Sequence, residues 1–141
     1  MTMKMRSLTL LLAFTATAAT AQIKVNPKAE EALKEQHKKA KDIVWAEAEN
    51  GYTATFDNEG YRSTAEFEKN GKWIKTETEM YEEVLAESFL TTVYTKYPDA
   101  YIPKVIKRET PDGITFEVIL DDDGKAYGYT VDKEGKVLGT K

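Results

Sequence analysis

The 141-residue chain contains no cysteine, one histidine and four prolines, and its formal charge is −4. Without thiols there is no disulfide, no thiolate nucleophile and no cysteine ligand for zinc or an iron–sulfur cluster, so packing and hydrogen bonding alone must hold the fold. Serine is scarce as well. Ser7, Ser63 and Ser88 lack the flanking glycines of a nucleophile elbow, and a Ser-His-Asp triad is not expected. The single histidine, His37, stands among Lys38, Lys39 and Lys41, where a solvated helical residue is expected. A basic excess is missing too, which argues against nucleic acid as a partner, because phosphate binding needs a basic stripe.

The one long apolar run begins at Leu8 and ends near Ala18; Lys4 and Arg6 precede it and Ala19-Thr20-Ala21 follows it. This is the pattern of a secretory signal peptide, residues 1–21, with cleavage expected between Ala21 and Gln22. A transmembrane anchor would need roughly 20 mostly apolar residues, and this run is shorter and dotted with threonine. A lipoprotein anchor would need a cysteine after the cleavage site. The expected product is residues 22–141, one exported domain in the periplasm or outside the cell, with no membrane insertion after cleavage. Its charge becomes −6 once Lys4 and Arg6 leave.

Residues 28–41 are rich in Ala, Glu and Lys, strong helix formers, and predict a first helix. Its apolar face is thin, with Leu33 the only large residue, so weak packing is expected. Glu30, Glu31 and Glu35 alternate with Lys34, Lys38 and Lys39 near i,i+4 spacing, as in a solvated helix. A second helix is expected from about Tyr81 to Tyr97, where Leu85, Phe89, Val93 and Tyr97 recur every fourth residue before Pro98. Elsewhere the period is two, as in Tyr52-Thr-Ala54-Thr-Phe56 and Phe116-Glu-Val118-Ile-Leu120. Glycine-containing tips at Asp57–Gly60, Lys69–Gly71, Asp121–Gly124 and Lys133–Gly135 punctuate these strands.

A shift of 64 residues brings Tyr52 onto Phe116, Phe56 onto Leu120, Gly60 onto Gly124, Phe67 onto Val131, Gly71 onto Gly135 and Trp73 onto Val137. The chain reads as α-β4 written twice, about 28–80 and 81–141.

Lys96-Tyr97-Pro98-Asp99-Ala100 closing a helix, and the cadence Gly, Tyr-x-x-x-Phe, Asp-x-x-Gly, Phe-x-x-x-Gly-Lys-Trp from Gly51 to Trp73, repeated loosely from Gly113 to Val137, resemble the PepSY-like, β-lactamase-inhibitor-like family of small exported bacterial proteins. The resemblance implies an α+β fold: a curved antiparallel sheet made by the tandem α-β4 repeat, with both helices packed on one face and the other face open. Alternation agrees, setting Ala54, Phe56, Ala65, Phe67, Val118 and Leu120 toward the helices and Thr55, Arg62, Thr64, Glu66, Glu117 and Thr130 away from them. The side taken by Trp45 stays open, since Val44, Ala46 and Ala48 compete with it for the buried set.

No residue is singled out as catalytic, no cofactor is expected, and no metal site is assigned. Asp121-Asp122-Asp123-Gly124 reads as a turn, because an EF-hand register would put Ile119 where the first Asp is required. The function expected is a non-catalytic exported binding module that engages, including as an inhibitor, another envelope or secreted protein. The contacts expected are Tyr61, Trp73, Trp45 and Tyr127 with the tip carboxylates Asp57, Glu59, Asp121 and Asp123, although Tyr127 is in phase with Tyr129 and Val131. The alternatives are a binder of a small ligand or divalent cation, or a hydrolase using a carboxylate pair.

Overall fold

A computed structural model describes residues 23–141. The expected leader, residues 1–21, and its cleavage point lie outside the described residues. Asn26 begins the first helix, α1 (Pro27–Gln36): its side-chain oxygen accepts a 3.0 Å hydrogen bond from the Lys28 N–H, and Pro27 occupies the first turn, where no N–H is needed. Four strands follow, β1 (Ala40–Ala48), β2 (Gly51–Asn58), β3 (Tyr61–Glu68) and β4 (Trp73–Met80). A 3₁₀ turn at Glu82–Val84 leads into α2 (Glu87–Lys96), and the second set of strands is β5 (Tyr101–Thr110), β6 (Gly113–Asp122), β7 (Lys125–Asp132) and β8 (Val137–Thr140).

All eight strands form one antiparallel sheet in sequence order, β1 to β8, so the two units join at the β4–β5 seam. Two-residue turns close β2–β3 and β6–β7. Both central residues of each, Glu59-Gly60 and Asp123-Gly124, have positive φ, and the preceding Asp57 and Asp121 carboxylates accept the Gly60 and Gly124 N–H groups at 2.8 and 2.9 Å. This handedness matches the twist of the flanking strands.

Each helix covers its own core on one face of the sheet. Ala29 and Leu33 of α1 pack on Ala54, Phe56, Ala65 and Phe67; Phe89 and Val93 of α2 pack with Leu85 on Val105, Phe116, Val118, Leu120 and Val131. Leu33 is the one large side chain that α1 buries, so its hold on the sheet is thin, about 1.5–3 kcal/mol from that residue.

Between the two cores runs a polar seam, and it holds the main departure from the sequence expectation. The first helix stops at Gln36, not Lys41, and residues 40–48 enter β1. His37, expected in solvent, is 6% exposed. It caps the helix with φ of −134° and ψ of 77°, its backbone N–H on the Leu33 carbonyl, and its ring turns inward beside Phe56 at 5.1 Å between centroids. Thr76 sets this arrangement: its hydroxyl lies 2.7 Å from His37 Nε2 and accepts a 2.9 Å hydrogen bond from Trp73 Nε1. Propensity favoured continuing the helix through Lys41, and these contacts outweigh it. Tyr97, the corresponding cap of α2, has nearly the same backbone angles and the same 2.8 Å bond to the carbonyl four residues back. The second helix is likewise shorter than expected. Tyr81–Ala86 makes the 3₁₀ turn and an extended link, through which Leu85 still reaches the core.

Candidate partner-binding face

Alternation along the strands turns every second residue away from the helices, and across β3–β7 these residues are mostly charged. Lys75 Nζ lies 3.2 Å from Glu66 and 3.0 Å from Glu77. Arg108 bridges Glu77 at 3.7 Å and Glu117 at 3.2 Å, and the Thr130 hydroxyl donates to Glu117 at 3.1 Å. The result is a ladder, Glu66–Lys75–Glu77–Arg108–Glu117, that crosses four strands of the open face, β3 to β6. The hydrogen bond from Lys75, followed by the nearby positive charges, holds the Glu77 carboxyl below its ordinary range, and the bond to Glu77 raises Lys75 in turn. A hydrolytic general acid requires the opposite shift, a carboxyl kept protonated near neutral pH. The ladder is thus suited to a fixed pattern of charge, and single pairs within it contribute little to stability.

Beside the ladder, over β3, β4 and the start of β5, are two adjoining depressions. One, about 380 Å³, has Arg62, Glu79 and Lys104 around Ile106; the other, about 510 Å³, continues from the same three charged residues to Tyr61, Met80, Tyr81 and Pro103. Among the described residues, Arg62, Glu79 and Lys104 make no ion pair within 4.0 Å, in contrast to the ladder. Tyr81 is 67% exposed at the end of the groove. Charged groups without a close ion-pair partner among the described residues, next to an aromatic rim, form a surface on which a partner's polar groups can displace water.

The residues expected as contacts divide between the two faces. Tyr61 lines the second depression. Trp45 packs on the helix side, its ring 5.2 Å from Phe67, because it pairs with Ala54 and shares that residue's face. Trp73 is also half-buried on the first core, its indole N–H committed to Thr76, and Tyr127 stacks on Tyr97 at 5.0 Å in the second. At the tips, Asp57 and Asp121 are engaged in their own turns, Glu59 pairs with Lys39 at 2.8 Å, and Asp123 is exposed with φ of 54°. No group of three or more His, Asp or Glu residues arranged to hold a metal occurs among the described residues. Arg62, Glu79, Lys104 and Tyr81 were not read as a site from the sequence. The signal available was the alternation Arg62-Ser-Thr64-Ala-Glu66, while a bulge between Tyr101 and Lys104 obscured the phase of Lys104.

Solved structures with this arrangement include several from Bacteroides. A BLIP-like protein from Bacteroides fragilis superposes with a TM-score of 0.73 over 88% of this chain and 90% of its own, at 24% identity. The fold is BLIP-like. A DUF2874 family protein from Bacteroides ovatus (TM-score 0.68, 18% identity, 84% and 88% coverage) and a candidate periplasmic protein from Bacteroides eggerthii (0.67, 16%, 84% and 89%) share the BLIP-like architecture. At these identities the likeness establishes the fold and leaves the site to be argued from residues. No protein-family model matches the chain, and no curated protein does.

Proposed function

We propose that this protein is a non-catalytic exported binding module that holds another envelope or secreted protein against the open face of its sheet, including as an inhibitor. The observation that carries this reading is the groove over β3–β5, where, among the described residues, Arg62, Glu79 and Lys104 make no ion pair within 4.0 Å, beside a closed charge ladder. The BLIP-like neighbour and the candidate periplasmic neighbour support it by analogy. So does the leader pattern, from which the mature chain starts at Gln22 in the periplasm or outside the cell. The PepSY part of the resemblance rests on the residues quoted for it.

Under this reading Arg62, Lys104, Tyr61 and Tyr81 are the principal contacts, with the tips Asp57–Gly60 and Asp121–Gly124 at the rim. Trp45, Trp73 and Tyr127 serve the cores. The test is retention of a partner from envelope extract by immobilised wild-type protein and by an Arg62→Glu, Lys104→Glu variant. A partner held by the first and lost by the second supports the assignment; equal retention would remove it. Neither side chain makes an ion pair within 4.0 Å among the described residues, so the variant should remain folded.

A further inference from the structure

The two units differ at the start of their last strands. Trp73 and Val137 occupy equivalent positions: each opens its strand and pairs with the residue just after a bulge, Phe67 in one unit and Val131 in the other. In the first unit the Trp73 indole packs against the core beneath α1, a cluster that includes the small residues Ala29 and Ala65. In the second, the larger Phe89 and Tyr129 stand at those places, edge to face at 5.8 Å, and recover part of the indole's volume. They do not fill it. A cleft of about 170 Å³ remains between α2 and the β7–β8 edge, lined by Phe89, Val93, Tyr129 and Val137, with exposed Lys96 on its rim.

Size, charge and position each restrict the occupant. An apolar cavity of about 150 Å³ is enough to bind benzene, whereas drug-sized ligands need roughly 300 Å³ or more, so the cleft fits one aromatic ring. Lys96 makes no ion pair among the described residues and supplies a positive charge next to it. The cleft also opens beside β8, an edge strand in which Val137 and Leu138 are 43% and 53% exposed. Gly128 and Lys141 exchange both backbone hydrogen bonds, at 3.4 and 2.9 Å, so alternation turns the N–H and C=O of Leu138 and Thr140 toward the unpaired edge. A strand added there would direct alternate side chains to the helix face.

We propose that the cleft and the β8 edge form a second binding site, which takes one aromatic side chain of an extended polypeptide paired with β8, together with an acidic residue two positions away that meets Lys96. This site lies on the opposite face from the charged groove and does not depend on it.

Nuclear magnetic resonance titration of ¹⁵N-labelled protein provides the test, with two probes: indole-3-acetate, and a capped strand peptide Thr-Val-Trp-Thr-Glu-Val-Thr. Both should shift the resonances of Phe89, Val93 and Tyr129. The peptide should bind about tenfold more tightly, since main-chain pairing adds affinity, and should slow exchange of the Leu138 and Thr140 amides. Lys96→Met should weaken the peptide about two- to fivefold, the range of an exposed ion pair. Val137→Trp lays the protein's own indole across the mouth and should abolish both interactions, while Arg62→Glu with Lys104→Glu should leave them unchanged. Shifts from indole-3-acetate without peptide pairing to β8 would make the occupant a small aromatic acid and overturn the polypeptide assignment. Absence of cleft shifts with either probe, or undiminished binding to both Val137→Trp and Lys96→Met, would overturn the site.

Discussion

Replacing Thr76 by Val isolates the interaction that ends α1 and seats its cap. Valine keeps the shape of threonine, so no cavity opens, but the hydroxyl that meets His37 Nε2 at 2.7 Å and accepts from Trp73 Nε1 at 2.9 Å is lost. His37 is buried, and its unpartnered ring nitrogen should cost about 1–3 kcal/mol. The half-buried indole N–H regains water in part and should add about 0.5–1 kcal/mol. The expected loss is about 1.5–4 kcal/mol. For a domain of this size each kcal/mol shifts Tm by about 4 °C, so the midpoint should fall by roughly 6–16 °C. Urea unfolding followed by tryptophan fluorescence measures the same loss as a shift in midpoint at unchanged slope. Thr78→Val, which releases only the Ser63 hydroxyl, should cost about half as much. A loss below about 0.5 kcal/mol for Thr76→Val, or an equal loss for both variants, would refute the view that Thr76 organises the seam.

Three further outcomes are expected. Burial holds the His37 pKa below 6.5 against an opposing pull from Glu109, so the unfolded chain takes up a proton first as pH falls. Its contribution to stability should therefore be complete above pH 6.5 and decline below it, with a slope approaching about 1.4 kcal/mol per pH unit down to the folded pKa; urea midpoints from pH 8 to 5 should show this decline, and His37→Phe should flatten it. Gly71 has φ of 92°, and an added Cβ would meet Lys28 Cβ at 2.5 Å and the Ala29 nitrogen at 2.8 Å, whereas Gly60, with φ of 91°, has open space. Gly60→Ala should cost about 1–2 kcal/mol and Gly71→Ala clearly more, by thermal unfolding. Leu33→Ala should cost about 2–5 kcal/mol, because α1 has no other large side chain in the core, and circular dichroism should register loss of its helix first.

The repeat and the period-two stretches were enough to specify the sheet, its hairpin tips and the side of each strand that meets the helices, because turn glycines and alternation are local signals. Arg62, Thr64 and Glu66 fell on the open face for the same reason. What could not be read locally was decided by contacts distant in sequence. His37 looks like part of a lysine-rich helix until Thr76, 39 residues on, draws it inward. Trp45 had two consistent phases, and the bulge between Lys41 and Val44 selects the one that packs on Phe67. Lys104 joins Arg62 and Glu79 only because β5 of the second unit pairs with β4 of the first, after its own bulge has reset its phase. A groove formed across the junction of two units leaves no motif in either one.

The most direct test of the open-face assignment is site-specific photocrosslinking in the envelope, with p-benzoylphenylalanine placed at Thr64 or Ile106 on that face and at Lys34 on the outer surface of α1. Discrete adducts to one exported protein from positions 64 and 106, and none from 34, are expected. Adducts from position 34 alone, or from none of the three, would contradict a partner held on the open sheet.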